Sequence, residues 1–266
     1  MTDSLADWLT LRAAADTAAR SQRLVDALVA ALPSRRPLRL VDLGTGTGSN
    51  VRYLAPRLPS PQEWRVVDRD PGLLSHIHPP MPNCSIEARE WNLGDLRQDL
   101  LSDRDVVTAS ALLDLVSTAW IARLAEYCRR AGVSALFALT YDGRTTCNPP
   151  EPEDGLVLDL FNRHQRHSDK GFGRAAGPDA VTAAAQAFGV EGFVVTRARS
   201  DWDLPPSTAA MQRYLIEGWA DASSEIAPER RPAIDAWKAR RLAHVDAGRS
   251  HISVGHEDLL AIPRVI

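Results

Sequence analysis

The chain has 266 residues, 44% hydrophobic and 24% charged, with a formal net charge of −3. A chain of this length buries a sizeable core without staples, and a slight acidic excess without any long run of lysine or arginine disfavours a nucleic-acid partner. Cys84, Cys128 and Cys147 are odd in number and far apart, which predicts reduced thiols and neither a disulfide framework nor a metal site. Met1 to Trp8 holds two acids and no apolar core, and no uninterrupted apolar run is long enough to span a bilayer. The expectation is a cytoplasmic protein without a membrane partner.

Leu5, Leu9 and Ala13, then Leu24, Leu28 and Leu32, recur at four-residue spacing among polar residues. The segment reads as one or two amphipathic helices forming an N-terminal lid over 1–36, ended by Pro33, Pro37 and the arginines between them. Leu38 to Leu43 has the length and apolar content of a buried parallel strand. A glycine-rich turn follows, then a helix over Asn50 to Leu58 and a strand over Trp64 to Val67 that ends in Asp68. This is a βαβ unit. Strands at Ser85 to Trp91, Asp105 to Ala109 and Ser134 to Thr140, with a helix over Thr118 to Arg130, extend the alternation. The predicted fold is α/β, a doubly wound and mostly parallel sheet with helices on both faces, filling 37–266. A polar insert over about 143–178 is proline-rich and acidic at Asn148 to Asp154, and dense in His, Arg, Lys and Asn from Leu156 to Gly177. Val181 to Phe188, Ala209 to Ala222 and Glu229 to Leu242 return to helix, and Gly192 to Arg197 and His251 to Val254 to strand. No repeat or composition break divides the chain. The tryptophans Trp91, Trp120, Trp202, Trp219 and Trp237 read as packing residues.

The chemistry begins at Asp42-Leu43-Gly44-Thr45-Gly46-Thr47-Gly48, where a strand enters a loop with three alternating glycines and then a helix. Such a loop lets backbone approach a ligand closely, and the helix start favours its negative group. Asp68 closes the next strand, placed for a carboxylate to accept hydrogen bonds from both hydroxyls of a ribose. Asn92, at the end of the third strand, offers a polar group to an adenine edge. Nicotinamide-binding folds share the glycine loop and distal acid, but their fingerprint wants glycine where this chain has Ser49. The carboxylate of Asp42 also suits a cationic sulfonium better than a pyrophosphate.

In these residues the chain resembles the class I S-adenosylmethionine-dependent methyltransferases, most distinctly over Arg39 to Asp142. The resemblance implies a seven-stranded sheet with an antiparallel last hairpin, drawn from Gly192 to Arg197 and His251 to Val254. It implies S-adenosylmethionine as cofactor. Asp42 and the Gly44 to Gly48 loop, with Thr45, would hold the methionine part, Asp68 and neighbouring Arg69 the ribose, and Asn92 with Leu93 the adenine. Many relatives carry Asp where this chain has Asn92. The loop after the fourth strand, Thr108 to Leu115, would pass under the transferable methyl, with Ser110 on the cofactor side and Asp114 facing the substrate. A competing reading makes Asp114 the cap of the helix opening near Ser117. The proline-proline-aromatic motif of the nucleic-acid amine methylases is absent from this loop.

Methyl transfer chiefly needs the nucleophile positioned and one proton accepted. Within Phe161 to Gly173, His164 is the expected acceptor, with Gln165 and Lys170 orienting a small-molecule substrate. Tyr141, as a further catalytic candidate, and Asp142 border the same pocket. Arg12, Asp16 and Arg20 lie on one helical face and suggest an ion-pair ladder. Alternatively, Arg20 meets the methionine carboxylate or an acidic substrate group with its planar fork. The competing functions are an NAD(P)-dependent oxidoreductase and a non-catalytic nucleotide-binding scaffold. The expected assembly is a monomer or homodimer.

Overall fold

The computed structural model describes residues 5–32, 37–167 and 169–264. Two helices open the chain, α1 (Leu5–Ala19) and α2 (Gln22–Ala31). Ser21 separates them because its hydroxyl accepts from the Leu24 amide and caps α2. Pro33 to Arg36, expected to end the helical segment, lie outside the described residues.

β1 (Leu38–Leu43) is central because both its faces are apolar. Val41 and Leu43 enter one core layer with Ile121, Leu124 and Phe137. Leu38 and Leu40 enter the opposite layer with Leu24, Leu28, Val51 and Trp64. After it come α3 (Ser49–Leu54), β2 (Gln62–Asp68), α4 (Pro71–Leu74), β3 (Cys84–Glu90), β4 (Val106–Ser110), α5 (Thr118–Ala131) and β5 (Ser134–Asn148). The chain continues through α6 (Asp154–His167), α7 (Ala180–Val190), β6 (Phe193–Arg199), β7 (Trp202–Leu204), α8 (Ala209–Ile226), α9 (Arg231–Asp246) and β8 (His251–Pro263). The sheet order is β3-β2-β1-β4-β5-β8-β6, with β7 paired to β8 off this path. β1 to β5 pair in parallel, and β8 runs antiparallel to β5, β6 and β7.

The doubly wound, mostly parallel architecture is therefore as expected, with seven strands on the main path and β7 added as an eighth. The antiparallel pair is β6 with β8, but β7, α8 and α9 are threaded between them, so it is no tight hairpin. Several boundaries differ from the sequence reading. The helix after the glycine loop ends at Leu54 and gives way to a tighter turn at Ala55–Arg57, where Pro56 lacks the amide to continue it. β5 runs past Thr140 to Asn148 because β8 extends beside it, across register shifts at Phe137/Thr140 and Tyr141/Thr145. Part of the supposed insert is thus strand. Another part is α6, whose Val157 and Leu160 are buried, and whose polar density reflects its solvated flanks.

A third core cluster stands over the carboxyl ends of the strands, where α6, α8 and α9 gather Val157, Leu160, Ile216, Trp219, Ile234 and Trp237 around Tyr141, Trp202 and Val254. Arg241 is fully buried in it, and every guanidinium nitrogen is engaged: Nε and Nη2 donate to Asp154, and Nη1 donates to the Pro149 carbonyl. Among the described residues no helix is long and apolar enough to cross a membrane.

Candidate active site

A cavity of about 580 Å³ opens at the carboxyl ends of β1, β2, β4 and β5, under α1. Open α/β sheets place ligands at this position. The loop after β1 supplies one wall. Gly44 and Gly46 take the left-handed region at φ +62° and +56°. A Cβ at Gly44 would stand 3.2 Å from Leu112 Cδ1, and one at Gly46 would stand 3.0 Å from Leu9 Cδ1 on α1. Only glycine leaves this cradle open beneath the helix that roofs it. Asp68 faces the loop from the end of β2. Its Oδ2 accepts the Gly46 amide at 2.8 Å and its Oδ1 the Asp70 amide at 3.1 Å. Each oxygen retains acceptor capacity towards the cavity it lines.

A polar cluster lies beneath the loop. Asp42 is fully buried, and its Oδ1 accepts from Asn50 Nδ2 at 2.5 Å and from the Thr108 hydroxyl at 2.6 Å. Arg20 donates to Asn50 Oδ1 and, at 2.9 Å, to the Ser110 hydroxyl. Burial pushes the Asp42 carboxyl up and the Arg20 guanidinium down, and their opposite charges offset part of each shift. Asp42 and Arg20 do not line the cavity; Asn50 and Ser110, which they hold, do. The Asp258 carboxylate fastens this cluster to the sheet, accepting the Ser21 and Leu139 amides at 2.8 Å each.

Past Asp68, the cavity is bordered by Arg69, Leu73, Trp91, Leu93 and Phe172. Leu93 is fixed because its carbonyl accepts the Trp120 indole at 2.7 Å. Asn92 is exposed, and its side chain caps its own turn by accepting the Gly94 amide at 2.9 Å. It does not line the cavity, and Trp91 beside it does. The 169–173 turn closes this end: Asp169 Oδ1 accepts the amides of Gly171, Phe172 and Gly173 at 2.8, 3.2 and 3.1 Å. Gly94 packs so closely against it that a Cβ there would stand 2.5 Å from the Gly171 carbonyl oxygen.

The other end of the cavity is aromatic. Trp8 from α1, Tyr141 from β5, Phe161 from α6, Trp202 from β7, Trp219 from α8 and His256 from β8 line it. Their rings touch in sequence, Trp202 with His256 at 4.5 Å, His256 with Tyr141 at 6.1 Å, Tyr141 with Phe161 at 5.7 Å and Phe161 with Trp219 at 6.2 Å. The His256 Nδ1 lies 3.0 Å from the Val254 carbonyl, which favours the tautomer protonated there. Burial, assisted by the Arg12 charge, lowers its pKa to about 3, so the ring is neutral. Tyr141 donates its hydroxyl to Asn162 Oδ1 at 2.9 Å, and burial pushes its pKa well above the usual phenol value.

Asp114 stands between the two ends. Its Oδ1 is enclosed with no hydrogen-bond partner among the described residues. Burial raises its pKa to about 6, against the nearby charges of Arg12 and Lys170. The helix cap is Ser117, whose hydroxyl accepts the Trp120 amide at 3.2 Å, so Asp114 is not spent on capping. Two neighbours carry strained backbone: Ala111 at φ +51° and Leu139 at φ +55°, both lining the cavity. Left-handed conformations at non-glycine residues concentrate where a ligand site over-determines them.

Of the residues singled out in the sequence, Gly44, Thr45, Gly46, Asp68, Arg69, Leu93, Ser110, Asp114, Tyr141, Gln165 and Lys170 meet around this cavity. Gly48 caps α3 behind the loop. Asp142 is drawn away by Arg144, which bridges it to Asp201. His164 turns from the cavity towards Glu225 on α8, with Nε2 3.1 Å from the carboxylate. Phe161 and Gln165, four residues apart on α6, share the inward face, and His164 lies off it. Sequence reasoning missed Trp8, Trp202, Trp219 and His256, assigning two of them to packing. The Arg12–Asp16 pair expected on α1 forms at 2.9 Å.

No family profile matches the chain, and no curated protein does. Solved structures do. The chain is similar to a protein from Anaeromyxobacter dehalogenans described as a "Putative Type II Methyltransferase", at 18% identity and TM-score 0.53 over 92% of this chain and 97% of that one. The fold is that of the class I methyltransferases. The YcgJ protein from Bacillus subtilis is matched at 14% identity and TM-score 0.48, over 92% of this chain and 100% of that one. The cyclopropane synthase MmaA2 from Mycobacterium tuberculosis is matched at 12% identity and TM-score 0.46, over 89% and 82%.

Proposed function

We propose that the chain is an S-adenosylmethionine-dependent methyltransferase acting on an oxygen or nitrogen of a small molecule. The observation that carries this reading is the placement of the Gly44–Gly46 cradle, the Asp68 carboxylate and the enclosed Asp114 carboxylate around one cavity. The residues fit the cofactor. The cradle admits a ligand that a Cβ would exclude, Asp68 has acceptor capacity for a ribose, and Trp91, Leu93 and Phe172 form an apolar slot for a base. When bound, the cofactor supplies an electrophilic methyl group on a sulfonium.

The protein's own part is positioning and proton handling. Asp68 grips the sugar while Asn50 and Ser110, held by Asp42 and Arg20, shape the floor of the cavity. Asp114 Oδ1 accepts the proton of the substrate O–H or N–H. A carboxyl with a pKa of about 6 is ionised at neutral pH and more basic than an ordinary aspartate, which suits a general base. α1 roofs the cavity in which the reacting pair would meet. His164 is replaced in this role by Asp114.

The test is ligand stabilisation of the full chain. S-adenosylhomocysteine at a hundred times its dissociation constant is expected to add about 2.7 kcal/mol and raise the Tm, with no shift from NAD. Stabilisation by NAD alone would move the chain to the dinucleotide-binding enzymes. Stabilisation by S-adenosylhomocysteine without turnover on any acceptor would favour a binding scaffold.

A further inference from the structure

Among the described residues three arginines are nine-tenths or more buried: Arg12 at 9% exposure, Arg20 at 8% and Arg241 at 0%. Arg241 has every nitrogen engaged, and Arg20 has both Nη atoms engaged. Arg12 differs. Its Nε donates to Asp16 Oδ2 at 2.9 Å, and Asp16 Oδ1 accepts the Trp202 indole at 3.0 Å, so the carboxylate is occupied on both oxygens and pins one edge of the guanidinium. The Trp202 and Trp8 rings lie 5.1 and 5.9 Å from the guanidinium carbon. Both Nη atoms have no acceptor among the described residues, and Arg12 lines the cavity. Idle donors on a buried guanidinium are costly once water is displaced, so a ligand filling this end must bring an acceptor.

We propose that the Nη edge of Arg12 is the receptor for a carboxylate on the substrate, and that the methyl acceptor is therefore an aromatic or otherwise planar carboxylic acid. This deepens the methyl-transfer reading of the same cavity and rests on it. A planar fork held edge-on matches a carboxylate bidentately. The ring of aromatic side chains from Trp8 to Trp219 offers stacking and edge contacts to the body of such a molecule. Neutral His256 adds no second cation beside Arg12, and Lys170 reaches the cavity from the 169–173 turn at the opposite end, so this subsite is defined by two free donors in one plane, the match for a planar carboxylate. Arg12 and Asp114 line the same cavity, so an acid anchored at the fork shares that space with the proton-accepting oxygen.

The test is a panel of aryl carboxylic acids, each paired with its primary amide, the amine of equal length and the aryl phosphate. Binding is read by calorimetry on the full chain with and without S-adenosylhomocysteine. At least one acid is expected to bind about tenfold or more tighter than its amide, the difference expected of a charge-assisted hydrogen bond. Amine and phosphate should bind no better than the amide. In Arg12→Gln the preference for acid should vanish, and in Arg12→Lys, which keeps the charge and the Asp16 pair, it should survive in part. The S-adenosylhomocysteine affinity of both variants should stay within about twofold of the parent, less than one lost neutral hydrogen bond. Amides, amines or phosphates matching the acids across the panel overturns the proposal, as does an acid preference that persists in Arg12→Gln. Selective loss of S-adenosylhomocysteine affinity in Arg12→Gln, with methylthioadenosine unaffected, would instead assign the fork to the cofactor carboxylate. Failure of S-adenosylhomocysteine to bind the parent chain defeats the methyl-transfer reading while the acid-against-amide comparison remains readable.

Discussion

The cavity has two ends built by different means. At the proposed nucleotide end the glycine loop presents backbone, with Gly44 and Gly46 left-handed and Asp68 closing it, and Trp91, Leu93 and Phe172 add side chains beside it. At the aromatic end the surface is side chain: Trp8, Tyr141, Phe161, Trp202, Trp219 and His256, each from a different element. A backbone-built surface is set by the fold and keeps its shape when neighbouring side chains change. A side-chain surface is free to vary while the sheet stays intact. The first suits a cofactor shared by many enzymes, and the second a substrate peculiar to one.

Asp114 sits where the two ends meet, and the largest effect is expected there. Asp114→Asn should lower kcat by about 10²- to 10⁴-fold, the usual worth of a general base, with S-adenosylhomocysteine affinity unchanged. In the parent enzyme kcat should climb with pH through about 6 and then level off. The stability effect has the opposite sign. A carboxyl whose folded pKa is raised contributes most below its unfolded value near 4, and that contribution is lost as pH rises through about 6. Above pH 6 the asparagine variant should therefore melt higher than the parent, by an amount worth at most about 3 kcal/mol, and the difference should close below about pH 4. Thermal melts at pH 7.5 and 4 check this. A variant with parental kcat would remove Asp114 from the chemistry and blur the boundary between the two ends.

The nucleotide end is probed by Asp68→Ala. Losing hydrogen bonds to a charged carboxylate is expected to weaken S-adenosylhomocysteine about 10²-fold, as measured by calorimetry, while the KM of the methyl acceptor changes little. Affinity kept within a few-fold would mean that the sugar is held elsewhere. A smaller effect is expected at the roof. Gly46→Ala introduces a Cβ at positive φ and against Leu9, at a cost of about 1–2 kcal/mol. Leu9→Ala in the same chain should return part of that loss, and a double-mutant cycle with no coupling would show that α1 does not press on the loop.

The unequal legibility of the two ends follows from how each is made. A backbone site leaves its trace in consecutive residues: Asp42 to Gly48 and Asp68 announce a loop and a strand end before any packing is known. The central strand Leu38–Leu43 could be read to its last residue because burial on both faces leaves an unbroken apolar run. The aromatic end has no such trace. Trp8, Trp202 and Trp219 lie far apart in the chain, and an inward-facing tryptophan in a helix or short strand looks the same whether it meets a core or a cavity. Asn92 misled for a local reason, since a polar residue at a strand end can serve its own turn. β5 was cut short at Thr140 because its continuation to Asn148 is mostly polar and is held as strand by β8, more than a hundred residues further along the chain.

His164 provides the smallest expected effect and the sharpest test of how α6 divides its faces. Its ring is directed to Glu225, a carboxylate whose side chain is 70% exposed, and exposed pairs of this kind contribute about 0–1 kcal/mol. His164→Ala should therefore leave kcat and S-adenosylhomocysteine affinity within about twofold of the parent. Gln165→Ala, one position along and facing the cavity, should raise the acceptor's KM by several-fold, roughly the worth of one neutral hydrogen bond, with kcat little changed. Steady-state kinetics on the two variants side by side decide the matter. A large kcat loss at His164 with none at Gln165 would mean that α6 turns its other face to the substrate when ligands bind, and that the aromatic end rearranges while the nucleotide end stays fixed.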